Sequence, residues 1–70
     1  MRYFIYLDKL VNATITTLFE PGHYTRLTNA ERIAMYNDLR DLIVKAHKEH
    51  GFITQYQMTV LLEKLEDGIQ

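Results

Sequence analysis

Two four-residue segments, Thr28-Asn29-Ala30-Glu31 and Thr54-Gln55-Tyr56-Gln57, carry the same helix start signal. In each, the threonine hydroxyl can accept from the backbone N–H three residues on, while Glu31 or Gln57 accepts from the threonine's own N–H. Gly51 stands just ahead of the second start, where a left-handed helix stop belongs. Together these signals set two consecutive helices joined by a turn of about three residues, hence an antiparallel or steeply crossed pair.

The second helix is expected from Asn29 to about His50, with Tyr36, Leu39, Ile43 and Ala46 as its buried stripe, widened by Ile33, Met35 and Leu42. Asp38, Asp41, Lys45, Lys48 and Glu49 form its wet face, where Asp41, Lys45 and Glu49 are spaced to pair. Phe52 is expected to fold back on the last turn. The third helix is expected over 54–67, with a core stripe of Met58, Leu61, Leu62 and Leu65, Ile69 extending it, and an Ile53–Met58 staple at its start.

The opening segment has mixed signals. Tyr3-Phe4-Ile5-Tyr6 and Thr14-Ile15-Thr16-Thr17 favour strand by composition. Periodicity favours helix: Tyr3, Phe4, Leu7, Leu10, Val11, Ile15 and Leu18 share one stripe, and Arg2, Lys9, Asn12, Thr16 and Glu20 lie opposite. Leu10-Val11 breaks the alternation a strand requires. The reading is a helix over 3–19, with a β-hairpin turning at Asp8-Lys9 or Asn12-Ala13 as its rival. Pro21-Gly22 ends it. The expected fold is all-α, a small three-helix bundle (about 3–19, 29–50 and 54–67) forming a single domain over 1–70.

Seventy residues without cysteine must hold together without a disulfide or a cysteine-ligated metal. The remaining means are tight packing, self-association or docking on a partner. The second helix, at roughly 33 Å, outreaches the third at roughly 21 Å, and Ile5, Tyr6 and Phe19 lie outside the main apolar arc of the first helix. Tyrosine, favoured at interfaces, occurs five times. This apolar surplus leads to the expectation of a homodimer, or of an adhesive face for a protein partner, with Tyr3, Ile5, Tyr6, Tyr36 and Tyr56 as contact residues.

A net charge of −1 argues against a dominant nucleic-acid role. A DNA-binding reading of the corner at Gly51 would have Thr54, Gln55 and Gln57 reach base edges, yet Glu63, Glu66 and Asp67 outweigh Lys64 along that helix. The longest apolar run, Tyr3 to Leu7, is too short to span a bilayer, and Asp8-Lys9 interrupts it as a signal peptide. No membrane association and a cytoplasmic location are expected.

His47 and His50 lie three apart and, with His23, form a metal candidate, but no acidic residue is spaced to complete the set. The bland reading places both in the last helical turn, favoured by the dipole and covering Phe52. The Gly51-Phe52-Ile53 turn imitates a calcium loop only in spacing, since Ala46, Lys48, His50 and Gln57 occupy the ligand positions. The other ligand candidate is the loop leading into the second helix, where His23, Tyr24, Arg26 and Arg32 would hold an anion or nucleotide at a helix N-terminus. Asn12-Ala13-Thr14 matches a glycosylation acceptor by chance.

With neither serine nor cysteine as nucleophile, and with carboxylates on wet helix faces, no enzyme activity and no cofactor are expected. The expected role is a small interaction protein (an inhibitor, adaptor or regulator) that docks an amphipathic face on a macromolecule. In size and make-up it resembles the accessory proteins of phages and mobile elements, without a residue motif in common.

Overall fold

The computed structural model describes residues 2–19 and 27–69. They form three helices in chain order: α1 (Arg2–Phe19), α2 (Asn29–Lys48) and α3 (Gln55–Ile69). The opening segment is helical throughout, so burial of a period-3.6 stripe overrides its strand-favouring composition. Among the described residues there is no strand.

Both start signals form as the sequence requires. The Thr28 hydroxyl accepts from Glu31 N–H at 3.1 Å, and Glu31 Oε1 accepts from Thr28 N–H at 2.9 Å. Thr54 and Gln57 repeat the exchange at 3.1 and 2.9 Å. At the other end of α2 the helix closes at Lys48 rather than near His50, because the reversal begins earlier than the glycine. Gly51 takes φ +66°, and this bend brings Phe52 N–H onto the carbonyl of Ala46 at 2.7 Å. α3 runs on past Asp67 and keeps Gly68 in helical conformation.

Three contacts establish the course of the chain. Arg32 near the start of α2 donates to the Leu18 carbonyl at the end of α1. Tyr3 at the start of α1 touches Phe52 in the corner. A β-carbon on Gly68, late in α3, would press on Ile15, late in α1. α1 and α3 therefore run side by side in the same direction, and α2 runs against both, in a body of 35 × 18 × 18 Å.

The core is a column of apolar side chains from all three helices and the corner: Leu7, Val11, Leu39, Ile43, Ala46, Ile53, Leu61 and Leu65. Leu7, Val11 and Leu18 recur at four- and seven-residue steps on α1, which keeps them on one face. Burial of each large side chain contributes about 1.5–3 kcal/mol before chain entropy is counted. Phe4, Leu10, Ile15, Leu42, Met58 and Leu62 pack around the column half-buried.

One stripe residue is misplaced by sequence reasoning. Ile33 is 60% exposed. Its neighbour Arg32 lies eleven residues, about three turns, before Ile43, and so takes the inward position at that level. Arg32 is half-buried there, with its guanidinium on the end of α1. Ile33 is turned roughly 100° away, beyond the reach of the core.

Candidate functional site

The end of the bundle where α1 begins and α2 turns into α3 gathers aromatic rings. Tyr3 and Tyr6, three apart, share one side of α1, with centroids 5.7 Å apart. Tyr3 meets Phe52 edge-on at 4.9 Å, and Phe52 stacks on His50 at 5.0 Å. A continuous row results, Tyr6–Tyr3–Phe52–His50, built from two elements far apart in sequence. The centroid distances and tilted or stacked geometries are those of favourable aromatic pairs. The row is also wet: Tyr6 is 54% and Phe52 52% exposed, and Tyr56 in the first turn of α3 is 77% exposed at the same end.

The backbone under the row is held firmly. Ile53 is buried, and its carbonyl accepts from Nδ1 of His47 at 3.0 Å; a carbonyl only accepts, so that ring nitrogen carries the proton. The corner is pinned by this bond, by the Ala46–Phe52 backbone bond and by the Thr54–Gln57 exchange. The result is an aromatic surface on a scaffold that loses little freedom when contacted.

A second feature lies between α1 and α2. Leu10, Thr14, Met35, Asp38, Leu39 and Leu42 line an open groove of about 240 Å³. Its walls are apolar, with Asp38 at the rim and the buried Thr14 among its lining residues. α3 contributes nothing to the lining; it packs against both α1 and α2 through the core.

Of the expected contact residues, Tyr3 and Tyr6 meet at the corner end, Tyr56 is exposed in the first turn of α3 at that end, and Ile5 is exposed on α1. Tyr36 stands apart, half-buried against the core of α2. His50 and Phe52 belong to the row; the sequence places the histidines over Phe52 at the helix end, as the His50–Phe52 stack does, but does not join them to Tyr3. The signal that could have placed them was the Tyr3/Tyr6 spacing together with an aromatic directly after the stop glycine, but it requires knowing that α1 starts beside that stop.

For the expected ligand loop, His23, Tyr24 and Arg26 lie outside the described residues. Arg32 uses Nη1 on the Leu18 carbonyl at 2.8 Å, capping the end of α1. His47 is directed to the Ile53 carbonyl and His50 to the Phe52 ring, and no group of three potential metal ligands occurs among the described residues. At the corner, Thr54 and Gln57 are engaged in capping α3, and the outer face of α3 exposes Glu63, Glu66 and Asp67. No helix among the described residues is long and apolar enough to cross a membrane. Comparison with known proteins finds no match to a family model, a curated protein or a solved structure.

Proposed function

We propose that this chain is a small non-catalytic interaction protein that works by covering a surface on a protein partner. The observation that carries this reading is the row Tyr6–Tyr3–Phe52–His50, with Tyr56 exposed at the same end of the bundle. Large aromatic side chains left half-exposed in one contiguous patch, on a rigid corner, match the anchors that dominate binding energy at protein interfaces. The polar tips of tyrosine let such a patch stay in water when unbound and exchange hydrogen bonds when bound. The mechanism is steric: the aromatic end fills a partner's pocket, and the bundle behind it blocks what would otherwise approach.

The test compares capture of partners from the native cell by the wild-type chain and by Tyr6→Ser/Phe52→Ser. Both positions lie outside the buried core, so the variant should keep its helical signal, with a melting temperature lowered only by the lost aromatic pairs. A protein retained by the wild type and lost with the variant supports the reading. Identical capture by both chains, or recovery of nucleic acid alone, defeats it.

A further inference from the structure

The edge of α2 along the groove carries a self-complementary charge pattern. Met35, Asp38, Leu42, Lys45 and Glu49 follow one another at intervals of three and four residues, the spacing that aligns side chains along one line of a helix. Met35 and Leu42 are half-buried in the groove wall, while Asp38, Lys45 and Glu49 are exposed. α1 flanks this line with Leu10 in the groove and Tyr6 one turn earlier.

Leu42 is the centre of the line. Asp38 precedes it by four residues and Lys45 follows it by three. If a second copy lies antiparallel across the line, Leu42 meets Leu42, each Asp38 comes within one residue of level with the Lys45 of the other copy, and each Met35 lies against the aliphatic stem of the other copy's Glu49. A parallel arrangement would instead set Asp38 against Asp38 and Lys45 against Lys45, which is repulsive. The charges therefore select one orientation, and they do so twice, once on each side of the two-fold axis. The long side of the bundle, 35 by 18 Å, projects about 600 Å², and a corrugated surface exceeds its projection. That is the silhouette of the whole side, against the roughly 800 Å² per partner that a standard interface takes, so the charge register rather than the area supports the pairing.

We propose that two copies of this chain associate antiparallel through the α1–α2 face, with Leu10 and Leu42 as the apolar centre and reciprocal Asp38–Lys45 pairs fixing the register. This face adjoins the aromatic end at Tyr6, but the charge reversals at Asp38 and Lys45 leave the aromatic row unchanged, so the dimer and the partner-docking reading are tested separately.

Sedimentation equilibrium on the full chain tests it. The wild type should reach twice the 8.3 kDa chain mass at micromolar concentration. Asp38→Lys or Lys45→Asp alone places like charges opposite each other at two points and should weaken association by about tenfold or more. The double variant Asp38→Lys/Lys45→Asp restores opposite charges and should recover most of that loss. Both positions are exposed, and circular dichroism melts confirm that each variant is folded. A wild type that stays at the single-chain mass up to about 500 µM overturns the proposal, as that limit corresponds to no useful affinity. So does a dimer indifferent to the single charge reversals, or a double variant as weak as either single one.

Discussion

Gly68 of α3 lies so close to Ile15 of α1 that a β-carbon on it would sit 2.6 Å from the Ile15 Cδ1 and Cγ1 atoms and 3.0 Å from Cγ2. The two helices run in the same direction and meet most intimately where both end. Ile15 is β-branched and restricted at χ1, so it cannot swing clear. Gly68→Ala gains up to about 1 kcal/mol in helix propensity, less in a last turn, and loses about 1–3 kcal/mol to overpacking. The expected net is destabilisation by about 1 kcal/mol, a fall of roughly 4–8 °C in melting temperature for a domain of this size. In an Ile15→Ala background the same substitution should be neutral or stabilising. A double-mutant cycle by thermal melting reads the difference.

Asp8 and Lys64 join the same two helices through a 2.7 Å contact between Oδ1 and Nζ. Both side chains are about a third exposed, so solvent screens the pair and its coupling should be only about 0.2–1 kcal/mol. Lys64→Met and Asp8→Asn should each cost little, and their combined loss should fall short of the sum by that coupling. High salt should shrink the coupling in parallel. A coupling above this range in urea unfolding would mean that the contact is better shielded than its exposure implies.

The parts legible in the sequence were those carried by local chemistry. Thr28, Glu31, Thr54 and Gln57 announce their helix starts because capping involves residues only three apart, and Leu7, Val11, Ile43, Leu61 and Leu65 announce the core because burial imposes a period. Ile33 was misread because two adjacent positions competed for the inward direction and the charged one took it: Arg32 has a long stem and a carbonyl at Leu18 to satisfy, and hydrophobicity alone does not register either. The aromatic row was half-visible. Tyr3 and Tyr6 could be picked from α1, but Phe52 and His50 join them only because α1 begins beside the corner, a long-range fact that local spacing does not encode.

Gly51 is the point on which that corner turns. It holds φ +66° with nothing within 4 Å of a would-be β-carbon. Gly51→Ala therefore meets no steric wall, and its cost is the left-handed backbone alone, about 1–2 kcal/mol. Gly51→Asn, which tolerates this conformation better, should lose clearly less. Chemical unfolding of the two variants should rank them in that order. If alanine proved as good as glycine, the corner would have to reach its geometry without the left-handed residue.

The two capping boxes differ in one atom set that matters to acid. In the first, the acceptor returned to the threonine is the Glu31 carboxylate; in the second, it is the uncharged Gln57 amide. Hydrogen bonds from the Thr28 backbone N–H and from its side chain hold Glu31 below the ordinary carboxylate value of 4.5. A depressed folded-state value means that the contribution is complete above the unfolded value and is lost as pH falls through the folded one. The first box should thus weaken in acid below about pH 4.5, while the second keeps its strength. Thr28→Ala and Thr54→Ala should each cost about 1 kcal/mol at neutral pH. Either threonine-to-alanine variant keeps its backbone N–H, so the acid-sensitive bond is read at its acceptor: the Glu31→Ala penalty should shrink at about pH 3, while the Gln57→Ala penalty persists. Glu31→Gln makes the first box chemically like the second and should remove that difference. Melting curves of these variants at the two pH values decide it, and a Glu31→Ala penalty equal at both would mean that the carboxylate charge plays no part in starting α2.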